Sequence, residues 1–162
     1  MHPIDVLSQE HRKIETMLNA VESRIRDSQP GQAFPLAFFT EALDFFRDFA
    51  DGAHHAKEEK ILFPRMKERG VPQEGGPIGV MLAEHDEGRA YLRAVRQNLS
   101  AAADGSAEAR QAVEENAMAY VNLLRHHIYK EDNILFRMGK MVLSAGDVAE
   151  LGKEFEAVGV TQ

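Results

Sequence analysis

The sequence predicts an all-α protein: an up-down-up-down four-helix bundle built from two repeated helical hairpins and followed by a short C-terminal helix. Apolar residues recur at spacings of three and four along most of the chain, the period of a half-buried helix. Clusters of proline and glycine cut this pattern into long segments joined by short loops, as a bundle requires. The second half of the chain also repeats the first. "HHAKEEKILF" (54–63) returns as "HHIYKEDNILF" (126–136), and Glu10-His11 returns as Glu84-His85.

The first helix carries Ile4, Leu7, His11, Ile14, Leu18, Val21 and Ile25 on one stripe, and "SQPGQAFP" (28–35) ends it. A long second helix is expected over about 34–69, with Phe38, Phe39, Ala42, Phe45, Phe46 and Phe49 followed by Ile61, Leu62 and Met66. "GVPQEGGP" (70–77) breaks the chain again, and Pro77 is placed to open the third helix, where its missing N–H is not needed. That helix is expected to reach about residue 102, "DGS" (104–106) turns the chain, and the fourth spans about 106–139. The tail "SAGDVAELGKEFEAV" (144–158) predicts a fifth helix capped by Ser144 or Asp147. The expected division is therefore a bundle over 1–140 and an extension over 141–162.

Composition excludes several classes of function. The 162 residues are 44% hydrophobic and 28% charged, enough for a genuine core in one domain. A net charge of −7, with no Lys/Arg-rich run, argues against nucleic acid and anionic membranes as partners. No cysteine is present, so thiol catalysis, disulfides and cysteine-ligated clusters are out. Neither a signal peptide nor a membrane span is evident, and a cytoplasmic location is the expectation.

The chemistry lies in the histidines. Apart from His2 they all belong to the repeated pattern: His11, His54/His55, His85 and His126/His127. Residues four apart differ by about 40° around a helix, so a His-x-x-x-Glu pair projects from one face. Such groups are costly in a bundle core unless a metal ion supplies the compensating charge. In the second motif only His127-x-x-x-Glu131 has this spacing, because Lys130 follows His126 by four. Aligning the repeats then selects His54 and Glu58 over His55 and Glu59, with Ile61/Leu62 and Ile134/Leu135 continuing the buried face. His11 and His85 add one imidazole from each of the other helices. The predicted metal ligands are His11, His54, Glu58, His85, His127 and Glu131, a set suited to iron, manganese or zinc. Bound hydroxide or oxo would offset the charge left over on two divalent ions.

Other residues have blander readings. The phenylalanines read as ordinary core, and Lys57 and Lys130 as solvated. Glu84 either faces solvent or leans toward the site. Arg89, one turn after His85, is either a bundle-edge arginine or a partner for a metal-bound carboxylate or an anionic ligand. Tyr120 lies on the face of His127 and is assigned no role.

The motif His…His-x-x-x-Glu…His…His-x-x-x-Glu resembles the hemerythrin-like family of HHE cation-binding domains, and the resemblance runs to about residue 138. "HHAKEEKILFP", "GGPIGVMLAEHDEG" and "HIYKEDNILF" are especially similar to the di-iron domain of iron–sulfur cluster repair proteins. The resemblance implies two iron ions, His11 and His54 on one, His85 and His127 on the other, with Glu58 and Glu131 bridging. Oxygen-carrying members have a further histidine where this chain has Arg89, which implies an open position on that iron. Asp132 keeps the spacing of classical members and is the alternative to Glu131. The repair proteins add an N-terminal cysteine-containing domain that this sequence does not contain. The function implied is a non-haem di-iron protein that binds or reacts with O2, peroxide or nitric oxide, in oxidative or nitrosative stress. Metal-state sensing and iron storage or delivery are the alternatives.

Overall fold

The computed structural model describes residues 1–158; residues 159–162, part of the expected C-terminal extension, lie outside the described residues. Four long helical rods alternate in direction: α1 (Pro3–Arg26), α2 (36–68), α3 (Pro77–Ala103) and α4 (107–142). A fifth helix, α5 (Ala145–Val158), folds back across α1 and the later part of α2. No strand occurs among the described residues, and no helix there is long and apolar enough to cross a membrane.

Local chemistry sets the rod ends. Pro3 opens α1, where the His2 ring accepts a hydrogen bond from the Ile4 amide. After α2 the chain turns at Gly70 with φ +98°, a left-handed conformation that favours glycine, and the Val71 amide closes onto the Met66 carbonyl. Gly105 does the same after α3, and the Ser106 hydroxyl then caps α4. Ser144 caps α5, with Asp147 reaching back to the Ser144 amide, so both residues named for this cap take part.

Two rods depart from α-helical pairing. In α2 the stretches Phe46–His55 and Glu58–Leu62 are π-helix, and in α4 so is Glu131–Leu135. The i→i+5 turn is wider than an α turn, so successive side chains are separated by less than 100°. Gly52 lies inside the first stretch, where a Cβ would come within 3.0 Å of the Arg47 carbonyl oxygen.

This widening corrects one expectation. Ile61 is half-buried and Ile134 is exposed, whereas Leu62, Phe63, Leu135 and Phe136 are buried. The core face after each His-Glu pair is shifted by one residue, because a wide turn delays its return to the interior.

The apolar core is divided in two. One cluster gathers Ile14, Leu18, Val21, Phe39, Phe46, Phe49, Val95, Val121 and Leu124; the other gathers Ile4, Leu7, Leu62, Phe63, Met66, Met81, Leu135, Leu151 and Phe155. On each rod the intervening positions belong to the histidines and glutamates. A polar layer therefore crosses the bundle between two apolar ones.

Candidate metal centre

His11 projects from α1 between Leu7 and Ile14, and His54 and Glu58 project from α2 between Phe49 and Leu62. His85 comes from α3, and His127 and Glu131 come from α4. All six predicted residues are at most 2% exposed. The structure brings them into two adjoining groups. His11, His54, Glu58 and Glu131 form one; Glu58, His85, His127 and also His55 form the other. Within each group, one potential ligand atom per residue lies within 4.8 Å of the others. Glu58 belongs to both, and one Glu131 oxygen spans them, 3.1 Å from His11 Nε2 and 3.2 Å from His127 Nε2.

The outward nitrogen of every one of these histidines donates to a carboxylate. His54 Nδ1–H meets Glu10 at 3.0 Å, His85 meets Glu59 at 2.6 Å, His127 meets Glu84 at 3.0 Å and His11 meets Asp132 at 2.8 Å. Each link passes from one rod to the next, α1 to α2 to α3 to α4, and the last returns to α1. Such contacts fix the tautomer and aim the Nε2 lone pair inward. The carboxylates are neutralised from outside: Lys57 on Glu10 at 2.6 Å, Arg89 on Glu59 at 2.7 Å, Arg12 on Asp132 at 2.5 Å, and Lys130 on Glu84.

Several expectations are resolved here. Lys57 is buried rather than solvated, because Glu10 draws it in. Lys130 pairs with Glu84, and Glu84 leans toward the site. Asp132 stands behind His11, and Glu59 stands behind His85. Arg89 grips both Glu59 and Asp51. Tyr120 packs on Phe46 and over Gly88, and burial pushes its hydroxyl pKa upward. His126 is turned to the surface, on the Asn122 carbonyl at 2.8 Å. His55 was set aside by the repeat register, yet it is buried among the site residues.

Inside this shell the polar groups are not satisfied. His54 Nε2, both oxygens of Glu58 and one of Glu131 are buried without a hydrogen-bond partner. Nε2 of His85 meets Nε2 of His127 at 3.2 Å, and Nε2 of His11 meets a Glu131 oxygen at 3.1 Å, so the other inward nitrogens turn only to members of the same cluster. Glu58 and Glu131 are held in the ionised form; although burial opposes this, the histidines beside them prevail. A cation fits such a set, and in its place only protons can balance it. Accordingly, despite burial, Glu58 and Glu10 raise the His54 pKa to about 10, and Glu131 and Glu84 raise that of His127 to about 10. Burial and the neighbouring His85 push His55 the other way, well below the usual histidine range.

Comparison with known proteins agrees with this geometry. Residues 2–139 match the Hemerythrin HHE cation binding domain. The chain belongs to the hemerythrin HHE family. Among its relatives, it is 30% identical over 142 residues to the iron-sulfur cluster repair protein YtfE of Dickeya chrysanthemi, covering 84% of this chain and 62% of that one. It is 34% identical over 86 residues to YtfE of Escherichia coli, covering 52% of this chain and 39% of that protein. An uncharacterized protein of Mycobacterium tuberculosis is 25% identical over 150 residues, 93% of this chain and 58% of that protein. The chain thus spans about three fifths of the length of the relatives it matches most fully. As an HHE domain with two buried His/Glu groups, it is a metal-binding protein.

Proposed function

We propose that the chain is a non-haem di-iron protein whose centre binds or reacts with a small ligand such as O2, peroxide or nitric oxide. His11, His54, Glu58, His85, His127 and Glu131 would hold the two ions, manganese or zinc being the other metals these donors suit. One observation carries the reading: two donor groups share Glu58, whose two oxygens, with His54 Nε2 and one oxygen of Glu131, are buried without a hydrogen-bond partner. Iron held by such donors is a Lewis-acidic, redox-active centre that can accept a diatomic ligand.

The residues around it have separable tasks. Glu10, Glu59, Glu84 and Asp132 orient the imidazoles and keep their protons on the outer nitrogen. Lys57, Lys130, Arg12 and Arg89 neutralise those carboxylates, leaving Glu58 and Glu131 as the charge the metal meets. Phe136, stacked on His11 at 5.4 Å, and Phe63, near His85 at 6.4 Å, wall the layer off from water. A role in oxidative or nitrosative stress, in the cytoplasm, is part of this proposal, and the likeness to relatives named for iron–sulfur cluster repair supports it.

The test is anaerobic titration of the metal-free chain with Fe(II), followed by separate exposure to O2, peroxide and nitric oxide. Uptake of two equivalents and a new absorption band with at least one ligand are expected. Absence of any spectral change with all three would sink the reading.

A further inference from the structure

We propose that His55 is a fifth imidazole donor of the centre, delivered from α2 to the position shared by His85 and His127. The proposal rests on the two-metal reading above and adds a residue to it. His55 is only 5% exposed, and a ring nitrogen lies within 4.8 Å of donor atoms of Glu58, His85 and His127. Its ring lies nearly parallel to that of His85, with centroids 3.7 Å apart and planes at 17°. Its Nδ1–H donates to Asp51 at 3.1 Å, leaving Nε2 with the lone pair. This is the arrangement that the other four buried histidines share, each with its own outer carboxylate.

Arg89 makes the case specific. It stands one turn after His85, where the sequence offers no histidine to that position. Rather than leaving the place empty of purpose, it holds Asp51 at 2.8 Å and Glu59 at 2.7 Å, the carboxylates behind His55 and His85. The π-helical stretch Phe46–His55 explains how two adjacent histidines both reach the interior. On α4 the corresponding pair lies in regular α-helix, and there only His127 turns inward while His126 faces out. His55, His85 and His127 then serve one position and His11 and His54 the other, with Glu58 and Glu131 common to both. The exogenous ligand would enter at the His11/His54 position, which has fewer donors.

The experiment loads the full metal-free chain with Co(II) and counts hyperfine-shifted exchangeable imidazole N–H protons by NMR. Each histidine that binds through Nε2 contributes one. Five such protons are expected, and four would overturn the proposal. His55→Phe keeps a stacking ring without a donor; relative to wild type, its second Co(II) equivalent should bind at least about 100-fold more weakly, beyond the usual effect of an outer-sphere change. Equal affinity for both equivalents would overturn the role of His55 while leaving the two-metal reading intact. Failure of the wild-type chain to take up two equivalents would instead defeat that reading. If His55→Phe does not fold, the proton count on the wild type still decides.

Discussion

At the scale of single residues, the histidines divide by what lies behind them. His54 and His127 are buried and each has a half-buried outer carboxylate, whereas His126 has neither carboxylate nor burial. His54→Ala and His127→Ala should each weaken iron binding by at least about 10–100-fold, and His126→Ala should leave it within error, as measured by metal competition titration. Protons compete for the same atoms. In the metal-free chain the folded-state pKa values of His54 and His127, about 10, lie above the unfolded value near 6.5. Their contribution to stability is therefore fully present below about pH 6.5 and is lost as pH rises toward 10. The metal-free protein should melt at progressively lower temperature across that window, while the gain on adding metal grows because fewer protons must leave. A melting temperature flat from pH 6.5 to 10 without metal would contradict the assignment of those protons.

At the scale of the helix, the sequence shows the period but not its interruptions. Caps, breaks and rod lengths follow from Pro3, Pro77, Gly70, Gly105 and Ser144, because such residues act locally. The six predicted site residues are brought together as the repeat implies. His55 was set aside in favour of His54, and its burial beside the site was not expected, because a constant 100° step puts adjacent residues on different faces and π pairing is a property of the whole turn. The available signal was Gly52 just before the doubled histidines. Glycine to alanine normally gains about 1 kcal/mol inside an α-helix. Gly52→Ala should instead lower stability, since its Cβ would press on the Arg47 carbonyl at 3.0 Å; thermal denaturation decides the sign. The second element with a distinct prediction is α5. Asp147 joins it to α2 through Arg65 and Arg69. Asp147→Asn should make α5 the first site of limited proteolysis while the four rods persist. Leu62→Ala, in the core beneath it, should cost about 2–5 kcal/mol by chemical denaturation.

At the scale of the whole molecule, the polar layer makes stability a function of loading. A ligand that binds only the folded state adds about 2.7 kcal/mol at one hundred times its dissociation constant. Here that ligand also cancels buried charge, so metal removal should lower the melting temperature reversibly, and readdition should restore it. The pattern of links between rods gives this dependence a direction. α1 carries His11 and, through Glu10, steadies His54, both in the same group. α3 carries His85 and, through Glu84, steadies His127, both in the other. α2 and α4 each touch both. If each group holds an ion, a displacement of α1 would loosen one and a displacement of α3 its neighbour, so the two would be discharged in sequence rather than together. α5 rests on α1 and on the later part of α2, so the C-terminal helix bears on the first position through α1 and on both through α2.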